Sequence, residues 1–197
     1  MYILGITGNI GSGKSTAANR LGKLGAVVSH SDDLAKDLLQ NTPGILAKLS
    51  NRFGADIIDG SGKLQRHILA ERAFSSAENQ QYLNSLIHPE VRKATLSRID
   101  RAKQEANVLF VIDAPLLFEA GVDQLCNSVL VVAADNIHRQ DRVEVRSQIP
   151  KEDFGRRDLL QMSIKDKIER ADHLIINNGS LKELVAKVDA FFETLKL

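Results

Sequence analysis

The sequence predicts an α/β fold: a five-stranded parallel sheet with helices on both faces. Three observations carry that prediction. Short apolar segments alternate with stretches of helical periodicity along the chain. A glycine-rich run, Gly8-Asn9-Ile10-Gly11-Ser12-Gly13-Lys14-Ser15, stands between the first apolar segment and the first helical one. Val108-Leu109-Phe110-Val111-Ile112 is apolar throughout, as a central strand covered on both sides should be.

Taken in order, Tyr2–Thr7 reads as a buried first strand. The run after it matches the phosphate-binding pattern G-x-x-x-x-G-K-[ST], and residues 16–24 have the apolar spacing of a helix. Strand, loop and helix in that order are the context the motif requires. A chain of this length would match the pattern by chance in roughly one case in a hundred. Glycine lets the backbone wrap so that successive N–H groups point at phosphate oxygens. Lys14 can reach the β- and γ-phosphates, Ser15 can ligate Mg2+, and the helix aims its positive end at the anion.

Residues 26–30 give a second strand, followed by a helix through Leu34, Leu38 and Leu39. From about 41 to 106 no sheet strand is legible: Thr42-Pro43-Gly44 and Asp59-Gly60-Ser61-Gly62 are turns and the rest is mainly helical. That is too much chain for one crossover. Within a single domain spanning 1–197, it implies an inserted helical lobe, at about 60–106, placed to cover a substrate. Residues 108–113, Ser128–Ala133 and His173–Ile176 complete the sheet, and Ser180 can cap a last helix over 181–195. Residues 138–157 contain Arg139, Arg142, Arg146, Arg156 and Arg157. Such a run is either a solvated helix face or, in a phosphate-handling protein, a lid, expected at about 138–160. The full expectation is a P-loop NTPase three-layer fold with an inserted helical substrate lobe and a helical Arg-rich lid.

Composition narrows the function classes. The 197 residues are 43% hydrophobic and 26% charged, with a formal net charge of +1. That balance supplies no bulk attraction to nucleic acid or an anionic membrane. No apolar run approaches the ~20 residues of a membrane span, and the N-terminus lacks a signal-peptide pattern. Cys126 is the only cysteine, so no intrachain disulfide forms; it reads as a small core or half-buried residue rather than a nucleophile, and a reducing cytoplasm is the expected compartment. The partners expected are small molecules; no oligomeric state follows from the sequence.

Ligands of open parallel sheets bind beyond the carboxyl ends of the strands. Asp32, just after the second strand, fits a general base for an acceptor hydroxyl or else a helix cap, a role for which Asp33 competes. Asp113 ends the third strand and fits either a Mg2+ ligand or a turn residue. His88-Pro89 could be a turn that starts a helix at Glu90, with His88 structural. Pro115-Leu116-Leu117-Phe118-Glu119 forms either an apolar wall beside the site or a segment packed into the core.

These motifs resemble the dephospho-coenzyme A kinases, P-loop enzymes related to nucleoside monophosphate kinases. The resemblance runs from the first strand to the last helix. It rests on Thr7 to Thr16, the segment around Asp32, and Gly62-Lys63-Leu64-Gln65-Arg66. It continues through His88-Pro89, Pro115 to Glu119, Arg142 with Arg146, Gln161, and Ala171-Asp172 through Asn177-Asn178-Gly179. It implies transfer of the ATP γ-phosphoryl group to the 3′-hydroxyl of dephospho-coenzyme A, the last step of coenzyme A synthesis, with Mg2+ as cofactor. Carried over by position, Asp32 resembles the catalytic carboxylate, and Lys14 and Ser15 the phosphate and metal ligands. Arg142 resembles a lid arginine that meets the transferring phosphate. Gly11, Ser12, Gly13, Thr16 and Asn177 fall on the ATP side, and Thr7, Arg66, His88, Pro115 and Leu116 on the acceptor side. One departure stands out. The family usually carries Asp-Ala-Asp where this chain has His30-Ser31-Asp32.

The runner-up is another small-molecule kinase of the same architecture, acting on a nucleoside monophosphate or a sugar acid. A GTP-dependent switch would need an Asn-Lys-x-Asp motif, which the chain lacks. A non-enzymatic ATP-binding regulator would not need Lys14, Ser15, Asp32, Asp113 and the lid arginines together.

Overall fold

The computed structural model describes residues 1–147, 154–155, 158–159 and 161–197, with the side chains of Arg146 and Ser147 excepted. Arg156, Arg157 and part of the expected lid at 138–160 lie outside the described residues. Five strands form one parallel sheet: β1 (Tyr2–Thr7), β2 (Val27–His30), β3 (Leu109–Asp113), β4 (Ser128–Ala133) and β5 (His173–Ile176). Their order is β2-β3-β1-β4-β5. The chain leaves β1 toward one edge and, after β3, crosses to build the other side. The carboxyl end of β1 therefore lies at a reversal of winding, where open sheets take ligands. β2 starts one residue later than the apolar run suggests because the Ala26 amide is taken by the Leu21 carbonyl at the end of the first helix.

The described helices are α1 (Lys14–Lys23), α2 (Ser31–Asn41), α3 (Pro43–Phe53), α4 (Arg66–Ala73), α5 (Ala77–Gln104), α6 (Asn136–Ser147), α7 (Ile164–Glu169) and α8 (Leu181–Thr194). The chain divides into two compact units, Met1–His30 with Arg98–Leu197, and Ser31–Ser97.

In the first unit, side chains alternate across the sheet as strand geometry requires. Leu4, Ile6, Leu109, Val111, Leu130 and Val132 face Ala17, Ala18 and Leu21 of α1 and Leu184 and Val188 of α8. Phe110, Ile112 and Val129 face the opposite way, toward Ile99 and Ala102 at the end of α5 and toward Leu117 and Phe118. Gly5 is required here, since a Cβ would come within 2.8 Å of Leu117 and 2.9 Å of Cys126. β5 is an edge strand with Leu174 and Ile176 exposed, and Lys187 of α8 donates from Nζ to the Ile176 carbonyl at 2.7 Å.

The second unit is helical, around Leu34, Leu49, Phe53, Ile57, Leu69, Leu83, Ile87 and Val91. The expected turn at 59–62 is present, closed by Gly62 N–H on the Asp59 carbonyl at 2.9 Å and braced by the Asp59 side chain on Ser61 and Lys63. The turn at Thr42-Pro43-Gly44 shrinks to a one-residue break, because Pro43 takes the first position of α3. One expectation is corrected. α5 runs unbroken through His88-Pro89, so no turn starts a helix at Glu90. Pro89 leaves the Ser85 carbonyl without its helical donor, and burial of Leu83, Ile87 and Val91 on either side holds the helix through the defect. α2 opens at Ser31 directly after β2, and the Asp32 and Asp33 carboxylates both stand in its first turn, where the helix dipole favours them.

Candidate active site

The phosphate loop leaves β1 at Gly8 and enters α1 at Lys14. Gly11 and Gly13 have φ of 79° and 97°, the left-handed region that glycine occupies without strain. Ser12 N–H closes a turn on the Asn9 carbonyl at 3.0 Å. Gly13, in αL geometry, opens α1 with no side-chain cap and no acidic residue in the first turn. The N–H groups of that turn are thus left to an incoming anion.

Behind the loop the strands bring three chemical groups together. Parallel register sets Ile6 and His30 on either side of Asp113. The Asp113 carboxylate is 4% exposed. Its Oδ2 lies 2.8 Å from His30 Nδ1, and its Oδ1 lies 3.9 Å from Lys14 Nζ. His30 Nε2 faces Asn19 Oδ1 at 3.1 Å. Protonated at both nitrogens, the ring donates to both oxygens; a neutral ring needs the Asn19 amide turned to donate. Among the described residues, Asp113 Oδ1, Ser12 Oγ and Asn9 Oδ1 are buried with no hydrogen-bond partner. Three such orphans around one loop are the signature of a site completed by a ligand.

Pro115 is tied to the same rim. Its carbonyl accepts from Lys167 Nζ at 2.7 Å and from Thr7 Oγ1 at 3.3 Å. Lys167 is fully buried and pairs with Glu119 at 3.5 Å. Burial pushes its ammonium pKa below the usual lysine value, against the attraction of Glu119. Leu117 and Phe118 pack into the core while Pro115 and Leu116 stay half-buried. On the other side of the loop, Asn177 donates from Nδ2 to the Ser12 carbonyl at 2.8 Å. Arg142 in α6 donates to the carbonyls of Asn177 at 2.8 Å and Gly179 at 3.1 Å. Cys126 is no nucleophile: burial, then the charge of Asp123, pushes its thiol up to about 12.

The first unit thus gathers Thr7, Gly11 to Thr16, Asp113, Pro115, Leu116, Arg142 and Asn177. Asp32, Arg66 and His88 belong to the helical unit. Asp32 is exposed in the first turn of α2, Arg66 opens α4 and reaches the Lys36 carbonyl at 3.4 Å, and His88 is half-buried within α5. Sequence reasoning missed Lys167. The signal was there in part: Lys167 sits on the apolar stripe Ile164, Ile168, Ala171 at helical spacing, where a lysine is out of place.

The dephospho-CoA kinase family model matches residues 2–183. The chain belongs to the dephospho-CoA kinase family. Its members are transferases that phosphorylate dephospho-CoA in the final step of coenzyme A biosynthesis, and that is the activity membership gives this kinase. A dephospho-CoA kinase of Corynebacterium diphtheriae is 41% identical over 180 residues, covering 91% of this chain and 90% of the relative. One of Syntrophotalea carbinolica is 37% identical, covering 99% of this chain and 92% of the relative. Among solved structures, TT1252 from Thermus thermophilus superimposes with a TM-score of 0.82 at 36% identity, covering 98% of this chain and 97% of that one. The dephospho-CoA kinase from Campylobacter jejuni follows at 0.73 and 25%, covering 98% and 96%. A shikimate kinase from Acinetobacter baumannii, at 0.51 and 14% identity, shares the fold alone. Among the described residues no helix is long and apolar enough to cross a membrane.

Proposed function

We propose that this kinase moves the γ-phosphoryl group of ATP to the 3′-hydroxyl of the dephospho-coenzyme A ribose, using the rim of β1 and β3 for the phosphates. The observation that carries this reading is the pairing of Lys14 with a buried, half-unpartnered Asp113 behind a loop whose N–H groups have no partner in α1. Lys14 neutralises charge on the β- and γ-phosphates, and Gly11 and Gly13 to Thr16 hold them through backbone N–H groups, with Ser12, whose N–H closes the turn on Asn9, also on the ATP side. Asn177, anchored to Ser12, sits on the ATP side. Arg142, beside it, brings positive charge to the phosphate in transfer.

Among the described residues no three His, Cys, Asp or Glu side chains converge as a metal cluster. That fits Mg2+, which keeps several waters and takes one or two protein ligands plus phosphate oxygens. Ser15 and the orphaned Asp113 oxygen are the donors we assign to it. Held there, the ion would supply positive charge against the charge that develops on the phosphates. Asp32 orients the acceptor hydroxyl and takes its proton as the new O–P bond forms and the bond to ADP breaks. Thr7, Arg66, His88, Pro115 and Leu116 are assigned to the acceptor. Small-molecule partners and a cytoplasmic setting fit the near-neutral charge and the single, half-buried cysteine.

A coupled assay with MgATP and a panel of acceptors (dephospho-coenzyme A, adenosine, AMP, CMP, gluconate, shikimate) tests the assignment. Turnover with dephospho-coenzyme A alone is expected; preference for any other acceptor overturns it. The Lys14→Ala variant should stay folded and lose turnover by at least two orders of magnitude.

A further inference from the structure

The first half of the phosphate loop is fastened from outside. Asn9 Nδ2 donates to Asp158 Oδ1 at 3.1 Å and to the Met162 carbonyl at 3.5 Å. The Ile10 N–H donates to Gln161 Oε1 at 3.0 Å. Asp158 is gripped in turn by Arg139 of α6, Nη1 to Oδ1 at 2.5 Å and Nη2 to Oδ2 at 3.0 Å. The same guanidinium reaches the Ile10 carbonyl at 3.4 Å and Asn136 Oδ1 at 3.2 Å, and lies over the Phe154 ring. Arg139 is 8% exposed, so this arginine of the charged run is not a solvated one. Its backbone presses on the loop too: a Cβ on Gly11 would meet the Arg139 carbonyl oxygen at 2.5 Å.

We infer that Arg139, Asp158 and Gln161 form a clasp that sets Asn9-Ile10-Gly11 in its binding geometry before ATP arrives, and so raises ATP affinity. They are positioning residues. The Ile10 N–H is committed to Gln161, which leaves the phosphate donors to begin at Gly11. The Nη1 and Nη2 groups of Arg139 are directed at Asp158, Ile10 and Asn136. Preorganisation matters because fixing the backbone of a single loose residue on binding costs about a tenfold factor in affinity. The charge matters as well. Asp158 touches a loop built for a polyanion, and Arg139 cancels its carboxylate there. Removing Arg139 leaves that carboxylate facing the nucleotide, whereas neutralising Asp158 only loosens the loop. Arg139→Gln therefore weakens ATP more than Asp158→Asn does.

The inference rests on the loop being the ATP site, and the experiment separates the two. ATP dissociation constants are measured by calorimetry for the parent, Asp158→Asn, Arg139→Gln and Gln161→Leu, together with KM for dephospho-coenzyme A and exchange of the Ile10 amide. Arg20→Gln, which breaks a bidentate pair with Asp189 of α8 at 2.5 and 2.8 Å, serves as a stability control. Expected are about tenfold weaker ATP binding in Asp158→Asn and Gln161→Leu, a larger loss in Arg139→Gln, and faster Ile10 exchange. The acceptor KM should stay within about twofold. Arg20→Gln should lower the melting temperature with ATP affinity unchanged. Affinities within about twofold of the parent and unaltered Ile10 exchange would make the clasp a structural ion pair and overturn the inference. Tighter ATP binding in Asp158→Asn would overturn it too, because Arg139 would then be a phosphate ligand released from a competitor. If the ion-pair variants fail to fold, Gln161→Leu, which strands no charge, decides alone. A parent that binds no ATP refutes the site reading itself, and the clasp falls with it.

Discussion

Replacing Lys167 by methionine tests how far the rim of the site depends on one buried cation. The ammonium holds the Pro115 carbonyl at 2.7 Å and lies 3.5 Å from Glu119. Methionine fills most of the stem volume, so the loss is polar rather than one of packing. A hydrogen bond from a charged donor contributes about 1.5–3 kcal/mol. Glu119 keeps a second partner, the Met162 N–H at 2.7 Å, which holds the cost below the ~3–5 kcal/mol of a fully stranded buried charge. Against this, removing the ammonium relieves the desolvation that lowers its pKa. The net is about 2 kcal/mol, or a melting temperature lower by about 4–8 °C at neutral pH for a chain of this size. The sign of the pH dependence follows from the same group. A lysine pKa lowered in the folded state means the unfolded chain binds more protons between that value and the ordinary 10.5. Stability contributed by Lys167 therefore rises with pH across this window, and Lys167→Met flattens the rise. Because Pro115 lies two residues from Asp113, turnover should fall about tenfold or more with little change in ATP affinity. Thermal unfolding from pH 7 to 10 and steady-state kinetics check this. A melting temperature within about 1 °C of the parent, with unchanged turnover, refutes the reasoning.

Asp32→Asn should lower turnover roughly 10²–10⁴-fold with ATP affinity little changed, while Asp33→Asn, at an exposed carboxylate paired with Lys36, has a small effect. The reverse pattern would place the acceptor-orienting carboxylate one residue on. His30→Asp, which sets two carboxylates side by side, should cost the ligand-free protein stability but keep turnover with saturating Mg2+ within about tenfold, or ~1.4 kcal/mol of barrier. A loss beyond a hundredfold would give His30 a role that a carboxylate cannot fill. Arg142→Ala should lower turnover more than it weakens ATP binding; equal loss in both would assign it to ground-state binding. In acid, burial opposes the Asp158 charge, but hydrogen bonds from Arg139 and Asn9 outweigh it and hold the pKa below the ordinary 3.8. Its contribution is present above that value and lost as pH falls through the folded pKa, so Asp158→Asn should narrow the difference in melting temperature between pH 5 and pH 2.5.

What was legible in the sequence follows from range. The strands and the phosphate loop are local patterns: apolar runs such as 108–112 and glycines at fixed spacing announce themselves within a few residues. Placing Asp113 at the rim needed only the rule that parallel sheets bind at their carboxyl ends, and the register with Ile6 and His30 bears that out. What the sequence hid is tertiary. Pro89 signals a helix start by local propensity, yet burial of its neighbours carries the helix through. The partnership of His30 with Asp113 spans 83 residues and that of Asn9 with Asp158 spans 149, separations that no motif reports. Arg139 and Arg142, three residues apart in one charged run, face different partners for the same reason.

The lysine that meets β5 bears on how an exposed sheet edge is treated. A parallel sheet that ends in a bare strand presents carbonyls and amides in a repeating row, and another chain can extend it. Here the row is short, four residues, and Leu174 and Ile176 make it apolar enough to invite company. Lys187 Nζ takes the Ile176 carbonyl at 2.7 Å, filling one acceptor of β5 and setting a positive charge beside the strand. A charge beside an apolar edge works against edge-to-edge association, and because the same side chain holds the residue next to Asn177, a change at Lys187 reaches toward the phosphate loop as well.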